Sequence, residues 1–461
     1  MVELAGEDAR QTASETPVLR RRYFMKATNE ADLELAVIGK LTRRLLPFLF
    51  LLYIVAYLDR INVGFAALQM QKQFGFSDAV YGLGAGMFFA GYFFFQVPSN
   101  LALSRVGPRR WIAALMVVWG MVSSAMVFIN GPRSFYALRF LLGAAEAGFF
   151  PGMILYLRNW FPARARAEAV ALFMTAGPIA GVVGSPISGA LLGLHSQHVS
   201  GWQWLFLIEG TPAVLLGVVV FAFLTDHPES ANWLNGGERG RLIAALKRDR
   251  DSHPEAGQRE IFSAFTNWKI WVLIIVYFGA TTCSYGLSLW LPNLIRNVSK
   301  ADNFGIGLLS AIPYVATAVA MVLVGMHSDR TGERRWHLAL PAVGGAVGLW
   351  GVGFATSMAA QIAFLSLALL SAFSMMGPFW AVANALLGGT AAAAGIALIN
   401  SFGNLGGFLG PYIIGLLRNA TGEFKGGLLA VGAMMALSGG LAIVVGGVKP
   451  ARKRLREAVT Q

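Results

Sequence analysis

The chain has 461 residues, of which 56% are hydrophobic and only 13% charged, with a mean hydropathy of +0.57. So low a charge content excludes a string of soluble domains, in which about a quarter of residues are charged. The formal net charge of +13 raises nucleic acid as a partner, but the basic residues form no groove-reading or aromatic face, and that partner is excluded.

Residues 1–44 read as a cytoplasmic tail. Arg21-Arg22-Tyr23-Phe24-Met25-Lys26 has the outline of a twin-arginine export signal, but Glu30, Asp32 and Glu34 follow where an apolar stretch is required. The tail is read instead as solvated, with arginines that meet anionic lipid. A spanning helix needs about 20 apolar residues. Such runs lie near 45–68, 79–98, 111–129, 134–157, 168–194, 204–224, 270–291, 304–327, 337–356, 359–384, 391–417 and 428–447. The predicted fold is therefore all-α and integral to the membrane, with twelve transmembrane helices. The charged, Gly- and Pro-containing segment 225–269 divides the chain six and six. It reads as a cytoplasmic linker between halves 45–224 and 270–447, with 448–461 as a second tail.

Positive charge alternates along this order. Clusters occur at Arg20, Arg21, Arg22, Arg43 and Arg44, at Arg105, Arg109 and Arg110, and at Arg158, Arg164 and Arg166. Others run from Arg239 to Arg259, over Arg330, Arg334 and Arg335, and from Lys449 to Arg456. The intervening segments are poor in Lys and Arg, which places both termini in the cytoplasm of a cell (inner or plasma) membrane. The abundant glycine has no Gly-X-Y period and suits close helix packing. The lone cysteine, Cys283, reads as a small packed residue.

The halves repeat. Arg105-Val106-Gly107-Pro108-Arg109-Arg110-Trp111 returns as Arg330-Thr331-Gly332-Glu333-Arg334-Arg335-Trp336, each copy after the second span of its half. Two six-helix units with one signature in one loop form a parallel pseudo-repeat. The second copy, from Gly325 through Asp329, Arg330, Gly332, Arg334 and Arg335, resembles the G-x3-D-R-x-G-x-R-R loop of the major facilitator superfamily. Within it, Tyr57-Leu-Asp59-Arg60-Ile-Asn62, the Arg139-to-Gly152 segment and the Ile399-to-Pro411 segment are similar to the anion:cation symporter group. That group includes galactonate, glucarate, tartrate and phthalate carriers. The resemblance implies a gating role for Arg105, Gly107, Arg109, Arg110, Gly325, Asp329, Arg330, Gly332, Arg334 and Arg335. Asp329 is expected to accept from arginines and a helix N-terminus in one state, and Gly332 to allow the tight turn. In the first copy Asn100 and Ser104 replace Gly and Asp, so the acidic latch is expected in the second half alone.

Charges within a bilayer cost about 3 kcal/mol each on insertion scales and are usually functional. The first half concentrates them: Asp59 and Arg60 in the first span, Arg139 and Glu146 in the fourth, Glu168 at an end of the fifth, and Glu209 in the sixth. From the outer end, Arg139 lies at about 8 Å, Glu146 at about 18 Å, and Asp59 with Arg60 between them, at about 12–14 Å. A buried carboxylate takes up and releases protons, whereas an arginine stays charged and offers a fork matched to a carboxylate. Arg60 is accordingly expected to hold a substrate carboxylate and Asp59 and Glu146 to carry the proton, with Arg139 pairing Asp59 in one conformation. The resemblance implies the same roles and adds Tyr57, Tyr92, Trp380 and Asn400 as solute contacts. The rival reading is a structural quartet of two ion pairs that locks helices one and four. Glu209, beside Gly210 and Pro212, reads as a structural group near a helix terminus.

Pro178, Gly377 and Phe379 point to a pocket with few hydroxyl partners, suited to less hydroxylated or aromatic acids. The histidines have no metal-ligand spacing, no phosphate-binding loop is present, and no nucleophile–base set marks an enzyme. The sequence therefore reads as a carrier that couples a small organic acid anion to the proton, monomeric, without a bound cofactor and without a nucleic acid partner. Exchange or facilitated diffusion is the alternative transport mode, and a membrane sensor or enzyme the alternative class.

Overall fold

The computed structural model describes residues 17–194, 196–251, 265–387 and 391–446, and every regular element among them is helical. The segment expected as a hydrophilic tail is helical from Pro17, and α1 runs unbroken to Phe74. Its polar part is rich in Ala, Leu, Glu, Lys and Arg, all good helix formers, so helix propagates outward from the apolar span. The C-terminal tail 448–461 and the middle of the linker lie outside the described residues.

α2 spans Asp78–Val106, started by Ser77, whose side chain accepts from the Val80 N–H. Gly107, at φ 89°, turns the chain into α3, Pro108–Ala125, with proline at the first helical position. α4 (Pro132–Glu146) and α5 (Phe149–Trp160) make the fourth span, and α6 (Ala163–Met174) and α7 (Ala176–Leu191) the fifth. α8 is Gly201–Phe223, and the linker contains α9, Gly236–Asp251. The second half has α10 (Trp268–Val298), α11 (Asn303–Thr331) and α12 (Arg335–Phe354). α13 (Met358–Ser374) with α14 (Met376–Leu386) and α15 (Ala391–Asn404) with α16 (Gly406–Thr421) follow, then α17 (Lys425–Gly446).

The fourth and fifth spans of each half are thus broken, and the breaks have a chemical cause. Pro151, Pro178 and Pro378 each stand three or four residues after a break, where the missing N–H and the ring oppose a continuous helix. The break at Leu405 lies among Gly403, Gly406 and Gly407. Eleven segments of the described residues are long and apolar enough to cross a bilayer. The remaining span expected, 391–417, is the one interrupted at Leu405.

Loops alternate between a face that carries the linker and a far face. At the far face the halves meet through two pseudo-equivalent contacts. A Cβ on Gly82 of α2 would stand 2.5 Å from the Pro411 carbonyl of α16, and a Cβ on Gly307 of α11 would stand 2.5 Å from the Ser185 carbonyl of α7. Gly307 follows Gly82 by the 225-residue offset of the loop repeat, and Pro411 follows Pro186 by the same offset. Only glycine permits either approach. Asp78 and Arg418 add an ion pair at 3.0 Å to the first contact. Nearer mid-depth the halves meet through Ser401, whose hydroxyl donates to Gln96 at 3.0 Å, and through Phe93 against Phe402.

Candidate functional site

Five charged side chains are buried among the described residues, and all belong to the first half: Asp59, Arg60, Arg139, Glu146 and Glu209. Arg60 sits on α1 where this helix faces α10. Its Nη2 donates to Glu146 Oε2 at 2.6 Å, and its Nη1 donates to the Tyr285 hydroxyl at 3.0 Å. The guanidinium lies 5.1 Å from the Phe88 ring centroid and 5.6 Å from that of Tyr92. Its Nε has no hydrogen-bond partner, nor has Glu146 Oε1. Glu146 is the last residue of α4, so the break in the fourth span brings it to the site at a helix end.

Asp59 points elsewhere. It accepts from the Ser123 hydroxyl at 2.7 Å and from the Trp119 indole at 3.1 Å, both on α3. The pairing expected between Arg139 and Asp59 is not made in this conformation. Arg139 is fully buried, donates to the Ala85 carbonyl at 3.3 Å, and leaves Nε and Nη1 without partners. Its guanidinium lies 5.1 Å from the Phe88 centroid, so one aromatic ring serves both arginines. The ion pair is Arg60–Glu146 because adjacent residues on α1 face different neighbours: Asp59 meets α3, and Arg60 meets α4 and α10.

The remaining expected contacts divide. Tyr57 is buried with an unpartnered hydroxyl, edge-on to Phe373, and Tyr92 flanks Arg60. Trp380 lies further off in the second half, packed on Tyr277 at 5.3 Å. Asn400 accepts from its own-helix neighbour Asn404 at 3.1 Å. Sequence reasoning missed Tyr285, although the repeat offset applied to Arg60 points straight to it. It also missed Trp119 and Ser123, which carry no mark in an apolar span. The described residues contain no group of three or more His, Cys, Asp or Glu placed to hold a metal.

The Major Facilitator Superfamily profile matches residues 49–411. The chain belongs to the Major Facilitator Superfamily. An Agrobacterium vitis protein named "Putative tartrate transporter" is 48% identical over 421 residues, covering 91% of this chain and 97% of that one. The "Quinolone resistance transporter" of Acinetobacter baumannii is 41% identical over 405 residues, covering 88% and 93%. The crystal structure of an inward-facing, unoccupied bacterial homolog of the human lysosomal transporter Spinster has the same fold. It gives a TM-score of 0.72 at 17% identity, covering 87% of this chain and 96% of that one. The D-xylose-proton symporter gives 0.67 at 16%, with 87% and 96% covered.

This major facilitator is therefore a multi-pass membrane transporter rather than an enzyme. Its signature loops differ between the halves. In the second, Gly332 ends α11 in the left-handed region at φ 66°, and Arg334 bridges Asp329 at 2.7 Å and the Ser328 hydroxyl at 2.8 Å. Asp329 is largely exposed, and Arg330 lies in solvent beside it. Gly325 has open space where a side chain would project, and Arg335 stacks on Trp336. In the first loop Arg105 and Arg110 are exposed. The Arg109 backbone donates to Asp226 at 2.9 Å, while its guanidinium donates to the Phe221 carbonyl. An acid thus serves the first loop as well, supplied by Asp226 after the sixth span. The expectation of a latch in the second half alone is corrected to that extent.

Proposed function

We propose that this chain is a proton-coupled symporter that takes up a small organic acid anion by alternating access, with Arg60 and Arg139 receiving carboxylates and Asp59 and Glu146 carrying the proton. The observation that carries this reading is the buried pair of guanidiniums, each 5.1 Å from the Phe88 ring centroid, with Arg139 lacking any acidic partner among the described residues. A permanently charged group in a low-dielectric interior calls for an anion, and two such groups suit a dicarboxylate. The name of the Agrobacterium relative supports a short hydroxylated dicarboxylate over the less hydroxylated acids inferred from Pro178, Gly377 and Phe379.

Glu146 occupies one side of the Arg60 fork. A substrate carboxylate that takes this position leaves Glu146 without its cation, and protonation then removes an unpaired buried charge. Substrate arrival and proton uptake are linked in this way at a single arginine. Tyr57, Tyr92, Trp380 and Asn400 line the solute path, and the signature loops gate it from the linker side. The linker face is cytoplasmic, in the inner or plasma membrane, and the unit of transport is the monomer.

The test is uptake of labelled tartrate, with a panel of other carboxylic acids, into proteoliposomes holding an imposed pH gradient. Accumulation driven by acid outside supports symport. Equal counterflow with no response to the gradient replaces it with exchange or facilitated diffusion.

A further inference from the structure

Glu209 does not behave as a helix-terminus group. It lies in the interior of α8, about 12 Å along the axis from the far-face end at Gly201, and is buried. Among the described residues no basic side chain is paired with it. Oε1 accepts from the Ser188 hydroxyl of α7 at 2.6 Å, and Oε2 has no partner. Asn62 of α1 lies against the carboxyl, yet both of its amide atoms lack a partner in good geometry. Ser185, one turn before Ser188 on the same face of α7, is fully buried with an unpartnered hydroxyl. A carboxylate here would be an uncompensated charge among orphaned neutral polar groups, and such a group neutralises by taking a proton.

We propose that Glu209 is a third proton-binding carboxyl, placed on the far-face side of Asp59, that loads a proton from the far side during the transport cycle. When protonated at Oε2, it donates to Asn62 Oδ1 and keeps Ser188 on Oε1, so both carboxyl oxygens are satisfied. Asn62 and Asp59 stand three residues apart on one face of α1. Ser123, which holds Asp59, packs against the place where a side chain on Gly210 would sit, next to Glu209. The charged neighbour facing Glu209 is therefore Asp59, on α1. The packed elements α3 and α7 place no charged side chain against it, since Arg109 and Arg110 lie at the opposite end of α3.

The link to the cycle is α7. The Ser185 carbonyl forms the Gly307 contact that joins the halves at the far face, and Ser188 is the hydroxyl partner of Glu209. Separation of α7 from α11 exposes the Ser185 face to far-side water beside the acid. Closure shuts that access and leaves the proton next to Asp59.

This proposal rests on the symport reading, and the two are separable by experiment. Infrared difference spectra of the full-length protein in lipid, taken across a pH titration, read carboxyl protonation without any substrate. The expected result is a protonated-carboxyl band that fades reversibly toward alkaline pH, is lost in Glu209→Gln, and shifts in frequency in Ser188→Ala. Ser188→Ala also keeps the test valid where Glu209→Gln does not fold. A band set unchanged by both variants, or one that never responds to pH, overturns the proposal. In proteoliposomes Glu209→Gln is expected to lower the number of protons moved per solute, and an unchanged ratio overturns it too. Wild-type protein that moves solute with no protons sinks the symport reading and, with it, the place of Glu209 in the cycle.

Discussion

Arg60 and Tyr285 hydrogen-bond across the boundary between the halves, Nη1 to hydroxyl at 3.0 Å, from positions 225 residues apart. That separation is the offset of the repeated loop signature, so the two residues hold equivalent places on the first helix of each half. Gly64 and Leu289 share the offset and also touch: a Cβ on Gly64 would stand 2.8 Å from the Leu289 carbonyl. The pseudo-two-fold axis therefore passes between α1 and α10 at the site itself, with a cation on one side and a phenol on the other.

Replacing either partner should report on solute binding. Arg60→Lys keeps the charge but loses the fork and its aromatic stacking, and carboxylate affinity should fall by about a hundredfold or more. Tyr285→Phe removes one hydrogen bond to a charged group, worth about 1.5–3 kcal/mol, and should weaken binding about tenfold. Ligand-induced thermal stabilisation of the purified protein measures both. Wild-type stabilisation by tartrate and the rest of the acid panel in Arg60→Lys would show that the anion is held elsewhere.

The two acids should respond differently to neutralisation. Glu146→Gln takes the only anion from Arg60 and leaves a buried charge unpaired, so thermal unfolding should register a loss of about 3 kcal/mol. Asp59→Asn keeps its oxygen for the Trp119 indole and can turn its amide NH2 to the Ser123 hydroxyl, which accepts, and it strips no arginine of a partner, so its stability should stay close to wild type. Both variants should lose acid-driven accumulation while still exchanging labelled for unlabelled solute. A quartet of locking ion pairs predicts instead that stability and transport fall together in both.

The glycine contacts of the far face should control which side opens. Gly82→Val or Gly307→Val forces backbones apart where no space exists, and either change should hold the far face open. A cysteine placed at Ser288, buried on α10, should then label faster from the far side, and transport should drop more than about tenfold. Slow labelling equal to that of the parent protein would mean that the halves join there without gating.

Acid should loosen the linker from the bundle. Glu238 of α9 accepts from Lys40 of α1 at 2.8 Å. This ammonium, with the Asn235 backbone N–H, holds the Glu238 carboxyl below its ordinary range. A carboxylate with a depressed folded value adds stability above the ordinary range and loses it as pH falls through the folded value. The contact should thus persist at neutral pH and weaken below about pH 4. Spin labels on α1 and α9 should read a distance that broadens over this window. The change should vanish in Lys40→Ala, whose labels should already be loosely placed at neutral pH.

The sequence displayed the members of the site but not their pairing. Asp59, Arg60, Arg139 and Glu146 stood out because a charge in an apolar run is conspicuous. Which acid meets which arginine depends on helix rotation, and α1 turns Asp59 to α3 and Arg60 to α4, a fact that depth along the axis does not contain. Tyr285 and Trp119 were hidden because aromatic residues are ordinary in a buried helix. The breaks in the spans went unread, although Pro151, Pro178 and Pro378 stand just after three of them; at Leu405 glycines act collectively. The far-face joints were not legible, since a glycine shows that something approaches it and never what.

Among the described residues, all the buried charge lies in one half of a molecule built from two similar halves. The second half meets Arg60 with the neutral phenol of Tyr285 and carries Tyr277, Tyr314 and Trp380 on its inner helices. Neutral walls tolerate reshaping far better than charged ones, because an aromatic exchanged for another leaves no desolvated ion behind. Selectivity for solute shape is thereby uncoupled from the handling of charge. Carriers for differently shaped solutes are reachable by resculpting α10, α11 and α14 while the electrostatics of α1 and α4 are inherited whole.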